Sequence, residues 1–287
     1  MAGDISALRD DIFSIVQHTH GLPPEAEDPI SHYRRTASDC WNLLVYVERH
    51  LSKNRTYAAP RERHLHRLHR MVLLSLAEAF ERFIKETAAL CIDHIGPLVL
   101  DDRLREFKPH GNTLAAHFAE KSLGRSLCES DTWLDCKDID DRFRRILGEP
   151  FTKDLKWYLF PTEQQVKGEG WRRQTLDVIW QLRHTIVHNA GVITQSDAAK
   201  FRLLVRAKVN APVVLWPEKS DVQNVKMFLD DTAGVVNQKV ADRIGQLLTK
   251  LHQDDPTLFD PAEKAQELAD LFRRSVAVAG MTATPKM

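Results

Sequence analysis

The chain has 287 residues, of which 43% are hydrophobic, enough for one large domain or two small ones and too many for a disordered polypeptide. Its 40 basic and 40 acidic residues cancel. No bulk field therefore draws in nucleic acid, and any such binding requires a local patch. From the N-terminus, a first helix is expected over about Ile5 to Gln17, stopped by the Gly-Pro signals of "HTHGLPP". A second covers about Pro29 to Leu51, with Cys40, Leu44, Val47 and Leu51 on one face. The third is long, about Arg61 to Ile95. Its stripe runs through Leu65, Leu68, Val72, Leu76, Phe80, Phe83, Thr87 and Leu90, and Gly96-Pro97 ends it.

From about Leu98 to Gly170 the pattern is irregular. "KPHGN", "GEP" and "KGEG" mark loops, with short helices such as Leu114 to Ser122 and Ile139 to Leu147. The fourth main helix is Trp171 to about His188, with Asn189-Ala190-Gly191 as its stop. "APVVLWP", Ala211 to Pro217, is the one strand-like run, short enough for a hairpin or an edge. A fifth helix covers about Val222 to His252 and a sixth about Pro261 to Val278, and the final "GMTATPKM" is expected to be loose. This pattern predicts a single all-α bundle: N-terminal helices over 1–60, a core over 61–194 with an insertion at about 98–170, and C-terminal helices over 195–278.

Cys40, Cys91, Cys128 and Cys136 have no CxxC spacing, which fits a reduced compartment better than a disulfide scaffold. Neither a signal peptide nor a membrane-length apolar run is visible, so the expectation is a soluble cytoplasmic protein with no membrane contact. GxGxxG, GxxxxGK[ST] and HExxH are all missing, which leaves dinucleotide, NTPase and zinc-protease chemistry without required parts.

The fourth helix carries the unusual chemistry. Leu176, Ile179, Trp180 and Val187 form a stripe, and Arg183 fills the slot before Val187 where an apolar residue is expected. A guanidinium on a buried face needs an anion, either a carboxylate such as Glu78, Glu81 or Glu86 or a bound phosphate. His184 and His188 are four apart and share a face. Arg183 lies about 140° from His188 on a regular helix. Fraying at Asn189 could bring the two together, or a second copy of the helix across a two-fold axis could complete the site. Arginine grips phosphate with a planar fork, and histidine carries protons near neutrality. The same R-x4-H spacing recurs from Arg61 to His66, in a charged helix start, and from Arg105 to His110, across Pro109, so position singles out Arg183.

"LRHTIVHNAG" resembles the signature of the HEPN superfamily (higher eukaryotes and prokaryotes nucleotide-binding), in which Arg is followed by a polar residue and then by His four to six positions after the Arg. Here these are Arg183, His184 and His188. The "HN-x-G" continuation, with Asn189, is similar too, as is the helix Leu73 to Leu90 to the family's second helix. The resemblance covers about Arg61 to Thr194. It implies a HEPN-like helical bundle that dimerises through the motif helices. In active members it implies a metal-independent endoribonuclease that leaves 2′,3′-cyclic phosphate, with no cofactor. Such proteins are often toxins or effectors of prokaryotic defence or toxin–antitoxin systems, with an antitoxin or defence-system partner protein. The other expectation is a non-catalytic nucleotide-binding or scaffolding module that docks a partner.

Residues beyond the motif carry candidate roles as well. Arg61, Arg63, Arg67 and Arg70 in "RERHLHRLHR" suggest a basic face for an RNA backbone, against a merely solvated face. His64, His66 and His69 lack a completing carboxylate or cysteine, so no metal is expected. Asn189 is expected at the substrate, and Glu78 and Glu81 as supports for Arg183. Trp133, Trp157 or Trp216 could stack on a base, with core packing as the commoner role.

Overall fold

The long leucine and phenylalanine stripe does what its spacing predicts: it forms the spine of the molecule. In the computed structural model, which describes residues 28–53, 58–98, 123–129, 132–148 and 157–286, this helix is α2 (Ala58–Ile95). It packs on α1 (Pro29–Lys53), α3 (Leu123–Cys128), α4 (Cys136–Leu147), α5 (Gly170–Asn189) and α7 (Lys219–Asp254). Leu76, Phe80, Phe83, Ile84 and Ile92 are buried at its centre. Phe80 is the hub. It meets Tyr33 of α1 edge-on at 6.0 Å and Trp180 of α5 at 6.0 Å, so one ring joins three helices.

All-α architecture holds, with eight α-helices among the described residues. The expected helices over Ile5 to Gln17 and Leu114 to Ser122 lie outside the described residues. Where boundaries moved, local chemistry explains it. Helix α4 starts at Cys136 rather than Ile139, because the Asp135 carboxylate accepts from Lys137 N and Asp138 N and caps it there. An unexpected helix, α6 (Gln195–Val205), follows the motif. Of the strand-like run, only β2 (Val213–Val214) is extended, and it pairs antiparallel with β1 (Val192–Ile193).

The C-terminal expectation is corrected. Helix α8 (Pro261–Phe272) stops six residues before Val278, with Arg273 in the left-handed region and Arg274 N–H bonded to Ala269 O. The remaining segment is ordered as a hairpin: β3 (Val276–Val278) pairs with β4 (Met281–Ala283). Val276 and Val278 are buried while Ala277 is exposed, a period of two that a helix cannot use. Ala279 and Gly280 both take positive φ, the backbone of a two-residue turn that fits the strand twist.

Candidate active site on the Arg-His helix

Helix α5 is held from two sides. Leu176, Ile179 and Trp180 are buried toward α2, while Val178 and Leu182 pack on Ile193, Ala198 and Phe201 at β1 and α6. Arg183, His184, Val187 and His188 remain partly or fully open to solvent. The apolar stripe ends at Trp180, since Val187 is 43% exposed. Arg183 is half-buried, and its Nε is enclosed without a hydrogen-bond acceptor. Among the described residues no carboxylate pairs with it.

The expected supports are occupied or open elsewhere. Glu81 accepts from Trp133 N at 3.1 Å and meets Lys85 at 3.2 Å. Glu86 holds His32 and Arg82, and Glu78 is exposed. Helix α2 turns these acids away from α5, because the face of α2 toward α5 is apolar. Glu78 and Glu81 are therefore not the partners of Arg183 in this chain.

The imidazoles of His184 and His188 lie with ring centroids 4.6 Å apart, tilted by 44°. Partial desolvation lowers the pKa of His184, helped by His188, Lys200 and Arg183 and opposed by Asp197. The helix stays regular through Asn189, so fraying does not carry His188 to Arg183. Beyond it, Ala190 and Gly191 both take positive φ, at 50° and 83°. Gly191 N–H closes on Thr185 O at 3.1 Å.

Two residues fix this corner. Arg70 donates Nη1–H to Ala190 O at 2.7 Å, so of the four arginines assigned to a phosphate face it is already bonded to the end of the motif helix. Arg63 and Arg67 are exposed and Arg61 is half-buried, and none of the three has an ion pair among the described residues. Asp197, 2% exposed, is the second fixture. Its carboxylate accepts from Gln181 Nε2 at 3.0 Å, Asn189 Nδ2 at 2.8 Å, Thr194 N at 3.1 Å and Thr194 Oγ1 at 2.9 Å. Burial would raise its pKa, but these donors together with His184 bring it below the ordinary carboxylate value. Asn189, expected at the substrate, spends its amide on Asp197. The Thr194-x-x-Asp197 spacing is a capping-box pattern, the one sequence signal that could have found α6 and this anchor. Lys200 lies one turn further along α6, and its charge reaches His184.

The histidine-rich start of α2 serves packing. His66 and His69 each donate Nδ1–H to Pro217 O at 2.8 Å, and His69 Nε2 lies 2.8 Å from the Glu48 carboxylate, which also holds Lys219. No group of three His, Cys, Asp or Glu side chains among the described residues is arranged for a metal ion. Trp133 is fully buried and Trp157 packs on the core, while Trp216 is 50% exposed. No helix among the described residues is long and apolar enough to cross a membrane. The comparisons with known proteins add no relative: no family model, no curated protein and no solved structure matches this chain.

Proposed function

We propose that the chain is a metal-independent endoribonuclease of HEPN type, acting as a homodimer and as a toxin or effector in a prokaryotic defence or toxin–antitoxin system. One observation carries the proposal: Arg183 is a half-buried guanidinium with an enclosed nitrogen and no acceptor, on the same helix end as two imidazoles in ring contact. A buried donor left unpaired costs about 1–3 kcal/mol, more when charged. Arg183 as a whole is only half-buried and has no carboxylate partner among the described residues, so a phosphate at the open part of the guanidinium would supply the missing counter-charge.

In the proposed reaction His188 takes the proton of a 2′-OH. The 2′-oxygen forms a bond to phosphorus, the bond from phosphorus to the 5′-oxygen breaks, and a protonated group or water returns a proton to the leaving oxygen. The product ends are a 2′,3′-cyclic phosphate and a 5′-OH. Arg183 holds the non-bridging oxygens, where negative charge gathers in the transition state. His184, whose surroundings disfavour its protonated form, keeps one N–H donor for the same phosphate when neutral. Arg183 and His188 point to different sectors of one helix, so a second α5 across a two-fold axis would place the His188 of one copy near the Arg183 of the other.

The test is cleavage of single-stranded and structured RNA by purified protein in EDTA, with product ends identified by their sensitivity to a cyclic phosphodiesterase. Cyclic phosphate ends support the proposal. Strict dependence on added magnesium or manganese defeats the mechanism, and failure to cleave any RNA defeats the enzymatic role in favour of a docking module.

A further inference from the structure

Of Trp133, Trp157 and Trp216, the fold leaves Trp216 open, at 50% exposure. An exposed indole is usually free to rotate, but this one is braced. Its ring lies 4.2 Å from the His66 ring at a tilt of 36°. The next residue, Pro217, has its carbonyl held by two imidazole N–H groups, those of His66 and His69. His69 is itself buried and fastened to Glu48 of α1. The backbone on the other side is tied to the motif corner, since Leu215 N–H donates to Gly191 O at 2.7 Å. Two helices and the motif turn thus hold one aromatic surface toward solvent, for which the hydrophobic core has no use.

Two arginines lie along the same helix face as that surface. Arg63, His66 and Arg70 are three and four residues apart and share one face of α2. Arg70 touches the end of the motif helix at Ala190 O. His66, under Trp216, lies one turn away, about 6 Å along the helix axis. Arg63 follows one turn beyond, exposed and without an ion pair among the described residues. Motif end, aromatic platform and open guanidinium therefore follow one another along a single helix face.

We infer that Trp216 is a base-stacking platform that selects single-stranded RNA and seats a nucleotide next to the Arg183 and His188 site. The inference rests on the RNA-cleaving reading of that motif for the identity of its ligand. Stacking needs an unpaired base with a free π-face, which an A-form duplex does not offer. Loss of one base–aromatic stack weakens binding roughly five- to hundredfold.

A short 2′-O-methyl oligouridylate, which cannot be cleaved, is titrated into the full chain, with a 2′-O-methyl RNA duplex as the second probe. Binding is read by anisotropy and by quenching of tryptophan emission. Trp216→Ala should weaken single-strand binding roughly five- to hundredfold, remove part of the quenching and leave duplex binding within about twofold, well below the loss expected of a stack. Trp216→Phe, which keeps an aromatic face, should recover most of the loss. Because the side chain is half exposed and lies outside every helix, Trp216→Ala should keep the helical circular dichroism of the wild type. Equal single-strand affinity in wild type and Trp216→Ala overturns the inference, as does an equal loss for both probes, or no binding of the oligonucleotide by wild type at low salt. Trp216-dependent binding in a wild type that cleaves no RNA leaves the platform standing and defeats the ribonuclease.

Discussion

At the scale of single residues, the arrangement around α5 is an imbalance of charge. His188, Lys200 and Arg183 all act on His184, and the one carboxylate that acts on it, Asp197, is saturated by four donors. Asp197 favours the proton on His184, while desolvation, His188, Lys200 and Arg183 disfavour it. Replacing the carboxylate with an amide removes the single favourable charge. Asp197→Asn is therefore expected to move the titration of His184, followed by its ring-proton NMR signals, to lower pH than in wild type. The acid limb of any cleavage-rate profile that needs neutral His184 should move the same way. An unchanged His184 titration in a folded Asp197→Asn protein would contradict this electrostatic account. His184→Ala should lower the cleavage rate less than His188→Ala does, because His184 contributes a hydrogen bond and His188 a proton transfer; equal losses measured at saturating RNA would show that both carry the proton.

At the scale of elements, two joints hold the site helix, and each can be broken alone. The Asp140 carboxylate of α4 accepts from Leu159 N at 2.8 Å and Phe160 N at 2.7 Å, and meets Arg173 of α5 at 3.2 Å. Asp140→Ala leaves two buried backbone N–H groups without their acceptor and Arg173 without its carboxylate, though Arg173 Nη1 still donates to Phe160 O at 3.3 Å, and should cost roughly 2–5 kcal/mol. A denaturation midpoint within error of wild type would refute that role. At the other joint, Gly191 has φ of 83°, and a Cβ there would stand 2.2 Å from Arg70 Nη1 and 3.1 Å from Arg70 Cδ. Gly191→Ala should lose about 1–2 kcal/mol to the left-handed backbone and displace Arg70 from Ala190 O, seen as a lower thermal midpoint that Arg70→Ala does not lower further. Much of this layer was legible in the chain. The stripe from Leu65 to Leu90 specifies α2 because its period is helical over many turns, and Asn189-Ala-Gly191 marks the end of α5. What escaped was set by contacts distant in sequence or by very short signals. Val276-Ala-Val278 is too brief to distinguish period two from a helix end. The pairing of Asp197 with Gln181 and Asn189 exists only once α6 folds back. That Glu81 caps Trp133 rather than meeting Arg183 depends on the rotation of α2, which no local pattern records.

At the scale of the whole molecule, a neutral net charge means that recognition of a polyanion must be local, and the exposed arginines of α2 beside the motif corner offer such a patch. Binding through it should weaken steeply with salt, and Arg63→Ala with Arg67→Ala should flatten that dependence by about two contacts' worth, a slope change near 1.8 for duplex or 1.4 for single strands. The proposed dimer makes its own demand. Sedimentation equilibrium at micromolar concentration should give twice the 32.9 kDa chain mass, and Val187→Glu, a charge placed on the exposed apolar residue one turn beyond Arg183, should shift it to the monomer and abolish cleavage together. A monomeric wild type that cleaves RNA would remove the two-fold site from the account. Whether Arg183 and His188 cleave RNA as phosphate clamp and proton carrier is decided by single-turnover cleavage in EDTA by wild type, Arg183→Ala and His188→Ala, each at equal dimer occupancy. Wild type should give cyclic phosphate products, with a loss of roughly a hundredfold or more for Arg183→Ala and on the order of a hundred- to ten-thousandfold for His188→Ala. Full activity of His188→Ala in EDTA, or a wild type that needs an added divalent ion to cleave, would contradict this mechanism.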